Sequence, residues 1–314
     1  MSQNQPILLS FYGISNGRKN LFTGQLTYSS IRDFSFKSYS SRKTFRTILA
    51  LYRTRFFANQ PITLRFNEGQ AHTVTDASGS FFCVTNNEPN QESLEEVLLQ
   101  NGEHVRTLDD LYTRKIHFIE TPFIVISDID DTLLHSNISN RLLKFRTLMF
   151  TSMEKRGAVS SMKNLIQELH NGGAAAFYVS NSEQNLYPLI YRFLLHNDFP
   201  KGPLFLKQMR KIRDVFRAVR PEEREAHKMK MLQEILALFP DKKYFLLGDN
   251  TQLDLKIYLK IAENYPENIR YIVIRKVLGR SHSESYLGET SERLREKGIG
   301  FYYGDSFPSN LALY

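Results

Sequence analysis

Apolar residues fall along this chain in two different patterns. Up to residue 121 they come in short stretches that alternate with polar ones. Ile62, Leu64 and Phe66 alternate with Thr63 and Arg65 before the turn signal Asn67-Glu68-Gly69. Ile7 to Tyr12, Leu21 to Tyr28, Ala71 to Thr75 and Ser80 to Val84 read as strands too, separated by Gly13, Asn16 and Gly17 or by Asp76-Ala77-Ser78-Gly79. Half-buried strands of this length predict a small antiparallel sandwich. From Pro122 onward, continuous apolar runs alternate with stretches at helical spacing, the grammar of a doubly wound α/β sheet. The candidate strands there are Phe123–Ser127, Ala174–Ser180, Pro203–Leu206, Tyr244–Gly248, Arg270–Arg275 and Ile299–Tyr303. Between them, a helix from Met162 to His170 stops at Asn171-Gly172-Gly173, where glycine suits a left-handed cap. Met229, Leu232, Ile235, Leu236 and Phe239 line a second helix, opened by Lys228 and stopped at Pro240. Leu253, Ile257 and Ile261 line a third, ending before Pro266. Two domains are expected, a β-rich one over 1–121 and an α/β one over 122–314.

One segment of about residues 40–57 breaks the β pattern. Phe45, Ile48, Leu49 and Tyr52 fall at helical spacing, with Arg42, Lys43, Arg46, Arg53 and Arg55 around them and no acidic residue. A basic amphipathic helix of this kind suits an anionic lipid surface. A helix packed on its own sandwich with its charges in water gives the same pattern, and is the preferred reading because helices of globular domains look like this as a rule. The spacing Thr75-Asp76-x-x-Gly79-x-Phe81 resembles the turn of transthyretin-like and carboxypeptidase-regulatory-like β-domains.

Composition narrows the class without fixing the fold. The 314 residues are 41% hydrophobic and 24% charged, as in globular proteins, which excludes disorder over most of the length. The 41 basic against 33 acidic residues give +8, an excess that favours anionic partners. The single cysteine, Cys83, excludes an intramolecular disulfide and fits a reducing compartment. No basic region precedes the short apolar stretch after Pro6, and no run approaches the ~18 apolar residues of a membrane span. A cytoplasmic location is expected, with any membrane contact peripheral, on the inner face.

The chemistry concentrates at strand ends. Phe123-Ile124-Val125-Ile126-Ser127 runs straight into Asp128, Asp130 and Asp131, at the edge where an open α/β sheet places its ligand. Two unit charges about 5 Å apart at an effective dielectric of 20 repel by roughly 3 kcal/mol, so a cation or a proton must offset them. The next apolar strand ends in Ser180-Asn181-Ser182, whose hydroxyl and following N–H groups can hold a phosphate oxygen. Lys228 supplies an ammonium, and Leu246-Leu247-Gly248 ends in Asp249, with Asp254 five residues on. Singly, Asp128 or Asp249 reads as a helix N-cap, Ser180 as a turn residue and Lys228 as solvated.

Together and in this order, Asp128-x-Asp130-x-Thr132, Ser180, Lys228 and Gly248-Asp249-x-x-x-x-Asp254 resemble the haloacid-dehalogenase-like phosphatases. That resemblance implies Asp128 as nucleophile, Asp130 as acid and base, and Mg²⁺ on Asp128, Asp130 (through its carbonyl), Asp249 and Asp254. It implies Ser180 and Lys228 on the transferring phosphoryl, with Thr132 and Asn181 also in substrate binding. A slow reaction such as phosphate monoester hydrolysis calls for this division into two steps. Asp131 has no necessary role in the scheme.

A closer resemblance covers most of the chain. Ser127 to Thr132, Phe177 to Ser182 with Asn185-Leu186-Tyr187-Pro188, Phe199 to Leu204, His227-Lys228, and Leu247-Gly248-Asp249 with Asp254 and Ile257-Tyr258 look like the actin-patch-associated phosphatidate phosphatase family. This implies a Mg²⁺-dependent enzyme converting phosphatidate to diacylglycerol. One departure is Gly248-Asp249-Asn250-Thr251-Gln252 where Gly-Asp-Ser-Gly-Gln is expected, which leaves both carboxylates in place.

Thr132 to Ser180 and Ser180 to Lys228 are each too short to hold a large cap domain, so an open site suited to a membrane-bound phosphate is expected. Lys207, Arg210, Lys211, Arg213, Arg217 and Arg220 cluster around Met209, Ile212, Val215 and Phe216, as a membrane-docking segment or as a solvated helix ended by Pro221-Glu222-Glu223. The expected partner is anionic phospholipid, phosphatidate above all. Nucleic acid is not expected, because the cluster's few aromatics form no stacking platform. The alternatives are the same chemistry on a nucleic-acid end or a phosphoprotein, and a non-catalytic anionic-lipid binding module.

Overall fold

The computed structural model describes residues 5–29, 41–86, 93–130, 132–133, 158–207, 221–250, 253–277, 281–305 and 307. Most of the basic cluster, residues 208–220, lies outside them, as do Asp131 and Thr251-Gln252.

The N-terminal strands form two sheets. β1 (Gln5–Ser15) and β2 (Asn20–Ser29) pair antiparallel at the centre of the first. β3 (Arg55–Phe56) and β6 (Ser80–Thr85) add antiparallel along β2, and β8 (Ile116–Phe118) adds parallel to β1. The second sheet is antiparallel, in the order β5 (Gly69–Val74), β4 (Pro61–Phe66), β7 (Leu94–Leu99). Stacked rings of Phe22 and Phe66, centroids 4.8 Å apart, join the two. The parallel β8 is a departure from the all-antiparallel expectation.

The turn between β5 and β6 is held by Asp76, whose Oδ1 accepts from the N–H groups of Ser78 (2.7 Å) and Ser80 (3.1 Å). Gly79 sits there at φ +74°, and a Cβ on it would meet the Leu26 carbonyl at 2.3 Å, so only glycine closes this turn against β2. Helix α1 (Ser41–Tyr52) buries Ile48, Leu51 and Tyr52. It is shorter than the expected 40–57, because the backbone of Arg55-Phe56 pairs with Tyr28 and Thr27 of β2.

The C-terminal sheet has six parallel strands in the order 11-10-9-12-13-14. They are β9 (Phe123–Ser127), β10 (Ala175–Glu183), β11 (Leu204–Lys207), β12 (Lys243–Asp249), β13 (Ile269–Arg275) and β14 (Gly300–Gly304). β9 is central, and the chain turns to opposite sides of it for β10 and β12. The crevice beyond its carboxyl end is therefore the topological switch point. Helices α2 (Ser160–Asn171), α3 (Tyr187–His196), α4 (Pro221–Leu238), α5 (Asp254–Asn264) and α6 (Glu284–Glu296) connect these strands.

Two boundaries differ from the sequence reading. Lys228 does not open α4; it lies two turns inside it. Pro221-Glu222-Glu223 forms the first turn of this helix, where proline costs no hydrogen bond and acids favour the helix dipole; a helix before it would lie outside the described residues. Strand β10 runs past Ser180 to Glu183 instead of stopping at the serine.

The core is continuous between the sheets. Tyr12, Ile14 and Leu21 of β1 and β2 belong to the same apolar cluster as Ile124 and Ile126 of β9. Among the described residues, no helix is long and apolar enough to cross a membrane.

Candidate active site

β9 is buried along Ile124–Ser127 and delivers Asp128 to the switch point. The Asp128 N–H still donates to the Leu247 carbonyl of β12 at 2.9 Å, so the main chain there stays tied to the sheet. Beside it, β12 ends in Asp249. Gly248 makes the next step possible, because a Cβ on it would meet Asp254 at 2.7 Å and Tyr258 at 2.9 Å. Its absence lets the first turn of α5 press Asp254 against the strand, where Oδ2 accepts from the Asp249 N–H at 3.3 Å. Tyr258, one turn on, donates to the Leu247 carbonyl at 3.0 Å and fixes the helix there.

Asp128, Asp249 and Asp254 are all buried, and one carboxylate oxygen from each lies within 4.8 Å of the others. The Thr132 hydroxyl stands 3.3 Å from both Asp128 Oδ2 and Asp249 Oδ2. Lys228, 1% exposed, enters from α4 with its Nζ 2.7 Å from Asp128 Oδ1 and bonded to Asp254 Oδ1. The ammonium thus bridges two carboxylates.

Electrostatics follow from this arrangement. Burial pushes the Asp128 carboxyl well above the usual carboxylate range; Lys228 opposes the shift, while Asp254, Asp249 and Asp130 reinforce it. Burial acts to lower the Lys228 ammonium, but Asp128 and Asp254 outweigh it and raise the pKa above its ordinary value. Three buried acids gather around one buried ammonium, with the half-buried Arg275 guanidinium attracted to Asp249. An all-oxygen set of three clustered carboxylates fits a hard divalent cation such as Mg²⁺.

The other wall comes from β10. Ser180 and Ser182 lie two apart on extended chain and so face the same way. Their hydroxyls donate to Asp130 Oδ2 at 2.9 and 2.8 Å, and Ser180 Oγ also accepts from the Ser182 N–H at 2.9 Å. Asn181 points elsewhere on the strand, half-buried, its Oδ1 without a hydrogen-bond partner among the described residues. His227 hydrogen-bonds the backbone of Ser180, and burial together with Lys207 lowers its pKa to about 4.

The structure thus brings Asp128, Asp130, Thr132, Ser180, Lys228, Asp249 and Asp254 to one sheet edge. Ser182, His227 and Tyr258 join them with contacts that sequence reasoning did not assign. Ser182 had a signal in the two-residue period; the His227 and Tyr258 bonds to backbone carried none. Asn250 holds the adjoining loop, its side chain accepting from the Val277 N–H at 2.9 Å and donating to the Tyr303 hydroxyl at 2.8 Å.

Residues 123–276 match the family model described as phosphatidate phosphatase APP1, catalytic domain. The chain is 30% identical over 174 residues to the phosphatidate phosphatase APP1 of Saccharomyces cerevisiae, covering 53% of this chain and 29% of that protein. It is 25% identical over 241 residues to an uncharacterized protein of Schizosaccharomyces pombe, covering 74% of this chain and 38% of the other. It therefore spans less than half the length of either relative. Among solved structures, a carbohydrate acetylesterase from Xanthomonas citri aligns at a TM-score of 0.31 and 11% identity, over 96% of this chain and 68% of its own, too low to carry an argument.

Proposed function

We propose that this chain, whose residues 123–276 match the model of the phosphatidate phosphatase APP1 catalytic domain, hydrolyses phosphatidate to diacylglycerol and phosphate. We read the parallel sheet as a haloacid-dehalogenase-type core and the reaction as passing through an aspartyl-phosphate. The observation that carries the reading is the junction of two groups at one sheet edge. Asp128, Lys228, Asp249 and Asp254 lie on one side, and Asp130 under the Ser180 and Ser182 hydroxyls on the other.

In this scheme an Asp128 oxygen attacks phosphorus, and the bond to the lipid oxygen breaks. Asp130 gives its proton to that leaving oxygen. Water then attacks the aspartyl-phosphate and passes a proton to Asp130, the bond to Asp128 breaks, and phosphate leaves. Lys228 aligns Asp128 through its 2.7 Å contact and favours the ionised nucleophile that burial opposes. Ser180 and Ser182 fix the Asp130 carboxyl so that the same group serves both steps. Asp128, the Asp130 carbonyl and Asp249 would hold Mg²⁺, with Asp254 supporting the shell. Bound there, the ion would neutralise charge on the phosphoryl oxygens and on the acid cluster. Asp254 has both oxygens engaged by protein groups, on Lys228 and the Asp249 N–H, which suits a supporting role.

The test is phosphate release from phosphatidate in mixed detergent micelles. Turnover is expected with Mg²⁺ and none with a chelator, and Asp128→Asn and Asp130→Asn should each abolish it with the fold intact. No release in either condition would overturn the reading. Faster release from an oligonucleotide phosphate or a phosphopeptide would reassign the substrate while keeping the chemistry.

A further inference from the structure

Helix α1 buries one side and offers the other. At ~100° per residue, Ile48, Leu51 and Tyr52 fall on one flank, and all three are buried. Arg42, Arg46 and Arg53 fall within about 40° of one another on the opposite flank. All three are exposed, and none makes an ion pair among the described residues. Arg53 belongs to this stripe because its N–H still donates to the Leu49 carbonyl at 3.1 Å, continuing the helical turn past Tyr52. Exposed Arg55 follows, and the sequence holds no Asp or Glu between Asp33 and Glu68 to neutralise the surface.

The helix is also placed beside the site. It packs against the 3₁₀ turn Gln184–Leu186, which begins two residues after Ser182, whose hydroxyl donates to Asp130. A packed helix and a lipid-facing helix are therefore compatible here, since the apolar flank is used by the fold and the basic flank is not.

We infer that the Arg42-Arg46-Arg53 face of α1 docks the protein on anionic phospholipid bilayers and holds the Ser180–Ser182 edge of the site toward the membrane. The inference rests, for its purpose, on the reading of the site as a lipid phosphatase. Its chemistry is charge complementarity. A bilayer carrying phosphatidylserine or phosphatidate presents a sheet of negative charge, and basic residues within a Debye length of it contribute roughly a fivefold gain in partitioning each. Three of them on one stripe can approach such a plane together, which scattered surface cations cannot.

The experiment is cosedimentation of the full chain with vesicles of phosphatidylcholine alone or mixed with phosphatidylserine. The serine lipid is an anion without a phosphomonoester, so binding is read apart from turnover. Wild type is expected to sediment with the mixed vesicles and to be released by high salt. R42E/R46E/R53E should bind at least ~100-fold more weakly, because losing each basic residue alone costs roughly fivefold and the added carboxylates repel the surface. R42K/R46K/R53K should retain binding, because a point charge is enough. On para-nitrophenyl phosphate in solution the Glu triple variant should turn over like wild type, while on phosphatidate in vesicles it falls behind. Equal binding of wild type and the Glu variant, no preference for the anionic vesicles, or retention on an oligonucleotide or acidic-peptide matrix instead of vesicles would each overturn the inference. Charge-dependent vesicle binding without phosphatidate hydrolysis would leave the docking face standing and remove the proposed substrate.

Discussion

Ser80, at the start of β6, donates its hydroxyl to the side-chain carbonyl of Gln184, 104 positions later in the chain. Gln184 also reaches the Gly24 carbonyl of β2 from its Nε2 at 3.5 Å, and Ser80 Oγ lies 2.9 Å from Ser78 Oγ, which bonds Asp76 at 2.7 Å. A buried polar chain thus runs from the antiparallel sheets to the residue two places after Ser182. Gln184→Leu keeps the bulk and removes the bonds to the Ser80 hydroxyl and the Gly24 carbonyl, while Ser80 keeps its contact with Ser78. The expected loss is about 0.5–1.5 kcal/mol, the net contribution of a typical buried hydrogen bond, read as a lower melting temperature. A drop in kcat on a soluble phosphomonoester should accompany it, because the same segment carries the two serines. An unchanged kcat would confine the bridge to a structural role.

Removal of one acid should separate stability from metal binding. Asp249→Asn relieves repulsion among three buried carboxylates, so the chelator-treated variant should melt no lower than wild type. The rise in melting temperature that Mg²⁺ gives wild type should be lost in the variant. A full Mg²⁺-dependent rise in Asp249→Asn would place the ion elsewhere.

Lys228→Met should act in the opposite sense. It leaves Asp128 and Asp254 buried without their cation, and breaking a buried pair in this way costs about 3–5 kcal/mol. The deficit should shrink as pH falls, because protonation removes the uncompensated charge. Chemical denaturation of the metal-free proteins across acid and neutral pH gives both numbers.

His227 predicts a pH window. Its pKa is lowered to about 4 in the folded chain, from an ordinary value near 6.5. Between those values the unfolded chain binds more protons, so the group costs stability as pH falls through 6.5 toward 4. The difference in unfolding free energy between wild type and His227→Gln should therefore change with pH across that window and level off above it. A difference that stays flat with pH would mean that His227 is not held neutral by its surroundings.

All six strands of the parallel sheet were legible, the central ones because burial on both faces leaves continuous runs such as Phe123–Ser127 and Tyr244–Gly248 bounded by polar turns. β7 was not, since Leu94 and Val97 stand three apart with two glutamates between, which is helical spacing; pairing with β4 decides it, with Arg65 and Glu96 3.1 Å apart across the strands. The end of β10 was obscured because Ser180-Asn181-Ser182 is polar on both faces and reads as loop. The acids of the site were legible by their order along strand ends. Their bridging by Lys228 was not, since the depth of a lysine within α4 depends on where a helix begins, and Pro221-Glu222-Glu223 reads equally as a stop or a start. The Ser80–Gln184 bond has no local signal at all.

The shared apolar cluster of Tyr12, Ile14 and Leu21 with Ile124 and Ile126 bears on how such a protein can be recombined. β9 begins five residues after β8 ends, and it is both the central strand of the parallel sheet and a wall of the core it shares with β1 and β2. A catalytic half cut free before Phe123 would carry that wall into water. The parallel sheet expressed from Phe123 onward should therefore be less stable than it is in the full chain.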